Sequence, residues 1–209
     1  MMFPILDIAA ISIFFMAWAG YSHYVDTRAI SKRPVAVVMN DYRLRWMERM
    51  LERDNRMPDV NISVAFVRSA MMFALTSIFL IAGAVALLGQ IESVRAILGE
   101  LAYTRLAPKA LMEVQVFVLT GIFIYAFFTF VWAIRLFNNM LVLLGAAPQA
   151  KDCDEVIRRE YPRYLALFLG RAFRFSNRGM RAFAFGLALL PWFLHPLMLV
   201  ASTLLVLVV

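Results

Sequence analysis

The sequence predicts an all-α integral membrane helical bundle of four transmembrane helices plus amphipathic cytoplasmic helices, and three observations predict it. Of 209 residues, 63% are hydrophobic and 17% charged, with a mean hydropathy of +0.74; ordinary soluble domains are roughly 45–50% apolar and about 25% charged. Four apolar runs occur, each of a length able to cross a hydrocarbon core that takes about 20 helical residues. The connections between them alternate in charge. Residues 23–60 hold eight Lys/Arg, residues 90–112 hold three, and residues 146–181 hold eight. Basic, sparse, basic is the pattern of a four-span protein whose first and third connections are cytoplasmic and whose termini are both outside.

The reading is of a single integral membrane domain over 1–209. It has spans at about 3–21, 69–89, 112–134 and 182–207, cytoplasmic connections at 22–68 and 135–181, and an outer connection at 90–111. The first span resembles a signal peptide in its Ala17-Trp18-Ala19 stretch. No Lys or Arg precedes it, however, Asp7 sits near its start, and the positive charge follows it, which reads as an uncleaved anchor. Asp7, like Glu113 in span three, is placed near an outer end with solvent in reach.

The first connection contains an amphipathic helix. At helical spacing Met39, Tyr42, Trp46, Met50 and Met57 form one stripe, with Met47 and Leu51 beside it. Arg45, Glu48, Arg49, Glu52 and Arg56 fall on the opposite face, where Glu52 and Arg56 stand four apart and can pair. Pro34 suits the start of this helix and Pro58 its end. Such a helix either lies in the membrane interface or docks on its own bundle. The intrusion of Arg43 and Asp54 on the apolar side favours docking.

The second connection predicts a short outer-surface helix from Ile91, Val94, Ile97, Leu98 and Leu101. The third divides at Pro162 into an acid-led soluble helix and a second helix near the membrane surface that carries Arg171 and Arg174. Span three continues as an apolar stretch to Gly145 but contains Arg135, Asn138 and Asn139. From Met112, 23 residues to Ile134 cover about 34 Å, so Arg135 arrives at the cytoplasmic boundary.

Span four carries Pro191, His195 and Pro196. Each proline removes a backbone donor, so the helix should kink there and the freed carbonyls should find neighbouring helices or water. Counted from Arg181, His195 lies about 21 Å into the bilayer. An ionisable residue at that depth is a functional candidate. The structural alternative is a neutral histidine bonded to a carbonyl loosened by Pro191. Arg68, Arg135 and Arg181 fall near one cytoplasmic boundary, where they could bind phosphate headgroups or line an anion pathway. They are more simply read as unrelated members of the positive-inside excess.

Several functional classes find no support in the residues. A single Cys153 forms no intramolecular disulfide, and two histidines leave any zinc site dependent on carboxylates. No nucleophile elbow, Walker loop, dinucleotide fingerprint or HExxH helix occurs. No metal, cofactor or catalytic residue is therefore expected. The net charge of +7 faces anionic lipid in a membrane protein, so the expected partners are membrane lipid, and either another copy of the chain or another membrane protein, without nucleic acid.

Three stretches carry a family resemblance: RWMERMLERDNRMPD running into span two, WAIRLFNN at the end of span three, and NRGMRAFAFGLALLPWFLHPL entering span four. They are similar to a group of bacterial and plant integral membrane proteins classed as a domain of unknown function, DUF599. Matching positions are Arg45, Trp46, Arg53, Arg56 and Asp59, then Arg135, and then Gly179, Arg181, Phe183, Trp192 and Pro196. The resemblance covers nearly the whole chain and implies a four-span membrane protein, with no agreed activity, substrate or catalytic residue. The functional expectation is a non-enzymatic structural or interaction protein of the bacterial inner membrane with a basic cytoplasmic face. The alternative is a homo-oligomeric channel or transporter.

Overall fold

A computed structural model of the chain describes residues 5–28, 35–100 and 107–208, and within them the protein is all-α. In order, the helices are α1 Ile5–Arg28, α2 Val35–Leu51, α3 Met57–Leu88, α4 Ile91–Gly99, α5 Lys109–Gly145, α6 Glu155–Ala188 and α7 Pro196–Val208. Short 3-10 turns at Ala150–Asp152 and Leu190–Phe193 flank α6. Pro34, the expected start of α2, and Leu101, the expected end of α4, lie outside the described residues.

Three helices are long and apolar enough to cross a membrane by length and composition: α1 over Ile5–Val25, α3 and α5. Their large apolar residues are widely exposed, Phe79, Phe117 and Phe128 among them. Contiguous apolar surface of this kind is rare on a soluble monomer and marks a membrane protein. The fourth apolar segment is a broken one. Its residues fall in the last turns of α6, the 3-10 turn and the 13-residue α7, and 13 helical residues cover only about 20 Å.

Two further elements differ from expectation. The helix of the first connection stops at Leu51, and Pro58 opens α3 instead of ending α2. Proline fits a first helical turn because its missing N–H has no intrahelical partner there; the Asn55 side chain accepts from the Met57 N–H at 3.0 Å and secures the start. Pro162, expected to divide the third connection, lies inside the continuous α6. The hydrogen bond it removes is offset by the apolar stripe that follows, in which Leu165, Leu169 and Ala172 are buried at helical spacing.

The chain packs as two compact units. The first comprises Met1–Val25, Leu75–Phe127 and Gly179–Val209, and the second Asp26–Ala74 and Phe128–Arg178. The core of the first contains Phe14, Phe123, Phe185, Trp192 and Leu199. Phe185 is its aromatic centre, stacked with Trp18 at 6.0 Å and edge-on to Phe14 at 5.7 Å between ring centroids. Gly186 admits Phe123 so closely that an added Cβ would stand 2.9 Å from the ring. The core of the second unit contains Met47, Met50 and Leu51 of α2 with Phe137, Met140, Leu165 and Leu169. Phe66, Phe137 and Phe173 meet there edge-on or tilted, at centroid distances of 4.9 to 6.0 Å.

Candidate functional site

In the second unit the polar side chains converge on the turn between α2 and α3. Asp59, in the first turn of α3, has no exposed surface. Its Oδ1 accepts from Trp46 Nε1 at 2.6 Å and from Arg53 Nη1 at 2.6 Å. The carboxylate gains from both donors and from its place at the positive end of a helix dipole. Ser63 Oγ donates to the Asp59 carbonyl at 2.8 Å. The chain thus returns on itself within 14 residues, and α2 is fixed to the start of α3 by an ion pair whose arginine stays 44% exposed.

Arg56 turns the other way. Its Nη1 and Nη2 donate to the Ala147 and Pro148 carbonyls at 2.5 and 2.6 Å, just beyond the C-terminus of α5, where carbonyls lack helical partners and a cation meets the negative end of the dipole. Tyr161 of α6 completes this clamp by donating its hydroxyl to the Leu143 carbonyl at 2.6 Å. Burial raises the Tyr161 phenol above its usual range, and the positive charge of Arg56 offsets part of that.

The residues expected to form an interfacial helix therefore divide. Met47 and Met50 are buried in the core, Trp46 is half-buried on Asp59, and Arg53, Arg56 and Asp59 build the turn. Met39 and Tyr42 remain exposed. Arg43, whose place on the apolar side stood out in the sequence, lies 4.3 Å over the Phe173 ring and donates to Asn40 Oδ1 at 2.6 Å.

In the first unit the corresponding joint is Trp192 Nε1 donating to Asp7 Oδ1 at 3.0 Å. Asp7 is only 4% exposed, which corrects its expected place in reach of solvent. The helix break beside it buries the indole, and the indole N–H needs a buried acceptor. Gln115 Nε2 donates to the Trp192 carbonyl at 3.2 Å. Asp7, Gln115 and Trp192 line a cavity of about 20 Å³.

The proline-bearing segment is interrupted, and its backbone is satisfied piece by piece. Ser202 Oγ donates to the Ala188 carbonyl at 2.6 Å, the terminal carbonyl of α6. The Leu194 and His195 N–H groups both donate to the Pro191 carbonyl. His195 Nδ1 accepts from the Leu197 N–H at 3.1 Å, so the imidazole caps the start of α7 with Pro196 at its first position. This geometry requires an unprotonated Nδ1. Instead of bonding a loosened carbonyl, His195 takes a backbone donor.

Among the three arginines grouped by the sequence, Arg68 and Arg135 belong to the second unit and are exposed, whereas Arg181 belongs to the first and is half-buried. Arg135 lies 5.4 Å over the Trp132 ring. Reading the sequence missed Asp7–Trp192, Gln115 and Tyr161. The first two residues stand 185 apart, and no local spacing joins them. Among the described residues no group of three or more His, Cys, Asp or Glu could hold a metal ion.

A family model described as DUF599, protein of unknown function, matches residues 9–209, and the chain belongs to that family. No curated protein and no solved structure matches the chain.

Proposed function

We propose that this member of the DUF599 family is a non-enzymatic structural or interaction protein of the bacterial inner membrane, with its basic connections, 22–68 and 135–181, facing the cytoplasm and both termini outside. The distribution of charge carries the reading. The second unit holds seventeen Lys/Arg against ten Asp/Glu, whereas the first holds four against four. The net charge of the second unit, +7, thus equals that of the whole chain, and most of that unit is drawn from the two connections that the positive-inside rule assigns to the cytoplasm. The polar groups with distinctive geometry, Trp46, Arg53, Arg56, Asp59 and His195, are engaged in holding turns and helix ends. That use supports a scaffold more than a reaction centre. The exposed Met39 and Tyr42 on α2 offer an adaptable surface to a protein partner.

The test of topology is labelling of Asn139→Cys in a Cys153→Ser background with a membrane-impermeant maleimide. Reaction from the cytoplasmic side is expected, and protection from both sides overturns the assignment. The test of function is crosslinking in cells of the protein and of Met39→Lys/Tyr42→Lys. A neighbour lost in the variant supports the reading, and an unchanged set of neighbours argues against it.

A homo-oligomeric channel or transporter for a small ion or solute is the second reading. The break before α7 favours it, because interrupted helices with a buried carboxylate nearby recur at transporter binding sites. Gln115 Oε1 is buried without a hydrogen-bond partner and Gln115 lines the same cavity as Asp7. Small-ion flux in liposomes together with an oligomer in detergent supports this reading; a monomer without flux eliminates it.

A further inference from the structure

On one face of the basic unit, Arg171 and Arg174 enter no hydrogen bond or ion pair among the described residues. On α6, Arg171, Arg174, Phe175 and Arg178 recur at helical spacing. On α5, Trp132 and Leu136 stand opposite, and these six residues line a cleft of about 360 Å³. The Trp132 and Phe175 rings meet across it at 6.1 Å between centroids. A guanidinium from each helix rests on this aromatic pair: Arg135 lies 5.4 Å over Trp132, and Arg178 lies 5.9 Å over Phe175. Arg135, Arg171, Arg174 and Arg178 are all exposed.

Arg135, Arg171 and Arg174 meet no carboxylate from their own helices, since α5 has no Asp or Glu after Glu113 and α6 has none after Glu160. The charge complement of the cleft is an anion. Guanidinium forks match phosphate oxygens in a bidentate manner, and the ring contacts hold two of the arginines in place before a ligand arrives. The apolar part of the lining narrows the choice further. Trp132 is 47% exposed on a helix long and apolar enough to span a membrane, and an amphipathic indole in that setting belongs at headgroup level.

We propose that the cleft between α5 and α6 binds an anionic membrane phospholipid, with Arg171 and Arg174 on the phosphate and Trp132, Leu136 and Phe175 against the glycerol and upper acyl chain. Arg135 adds charge at the rim. The inference deepens the proposed function by naming the lipid class that its basic face retains.

The experiment is native mass spectrometry of the full chain in detergent, titrated with phosphatidylglycerol or phosphatidylcholine. A preference for phosphatidylglycerol is expected, and Arg171→Gln/Arg174→Gln should lose about tenfold of it. Lys151→Gln/Arg159→Gln removes the same charge from exposed positions outside the cleft and should keep the preference. Equal loss in both pairs, or none in the first, overturns the site, as does displacement of the lipid by inorganic phosphate at comparable concentration. Circular dichroism of each variant confirms that its helices are intact. The two proposals fail separately: an unlabelled Asn139→Cys overturns the topology, whereas absent lipid preference with normal labelling overturns only the cleft.

Discussion

In the first unit a tryptophan indole donates to a buried aspartate across 185 residues of chain, and in the second the same two side-chain types are joined across thirteen. What surrounds each pair differs. Around Asp59 the other donor is an arginine, and a second arginine, Arg56, caps carbonyls beyond α5. Around the broken segment of the first unit, the backbone carbonyls are met by the Ser202 hydroxyl and the Gln115 amide. A cation in hydrocarbon is costly, whereas a neutral donor satisfies a carbonyl without that cost. The unit that carries the net charge closes its turns with guanidinium groups, and the charge-balanced unit closes its break with neutral ones.

The sharpest way to break this comparison is at Asp59. Asp59→Ala removes a carboxylate that serves two donors, and a hydrogen bond to a charged group contributes about 1.5–3 kcal/mol; the cost should be about 3 kcal/mol, because the Arg53 guanidinium, 44% exposed, regains water whereas the Trp46 indole loses its acceptor. Asp59→Asn, which keeps an acceptor for Trp46, should recover part of it. Reversible unfolding in mixed micelles measures both. Equal stability of wild type and Asp59→Ala would show that the turn does not hold the second unit together.

The matching substitution in the first unit is Trp192→Phe, which keeps the buried ring but removes the donor to Asp7. A hydrogen bond to a charged group contributes about 1.5–3 kcal/mol, so this variant should be less damaging than Asp59→Ala. If it proves worse, the joint around Asp7 is the stronger of the two.

Gly186→Ala probes the same unit by packing alone. Its new Cβ would sit 2.9 Å from the Phe123 ring, and overpacking costs about 1–3 kcal/mol. Gly121→Ala, where an added Cβ meets nothing within 4 Å, is the control and should be neutral or slightly stabilising.

How much of this was legible in the sequence depended on whether the signal was local. Apolar length and charge gave the all-α membrane class, and heptad-like spacing in α5 is visible in its buried Phe130, Ala133, Phe137, Met140 and Leu144. The residues of the Asp59 turn were singled out as matching a family pattern, but their bonding was not foreseen. The prolines misled in opposite directions: Pro58 opens a helix, which its missing N–H suits, and Pro162 is carried within one, where the buried apolar stripe outweighs the bond it removes. Asp7, expected in reach of solvent, is buried. Its partner lies at the far end of the sequence, and a single charge near an apolar terminus reads as solvated until a buried donor is brought to it.

The smallest expected effect tests the α5 clamp of the basic unit through pH. The Tyr161 phenol is raised from its ordinary value of 10.0 by burial, and only its neutral form can donate to the Leu143 carbonyl. A raised folded-state pKa means that the folded protein holds the proton more tightly than the unfolded chain. The contribution is therefore whole below about pH 10 and is lost as pH rises through the folded-state value. Tyr161→Phe should cost about 0.5–1.5 kcal/mol at neutral pH, and its stability should fall less steeply than that of wild type above pH 10. Parallel alkaline profiles would mean that the hydroxyl does not cap α5, leaving the Arg56 contacts to hold that end.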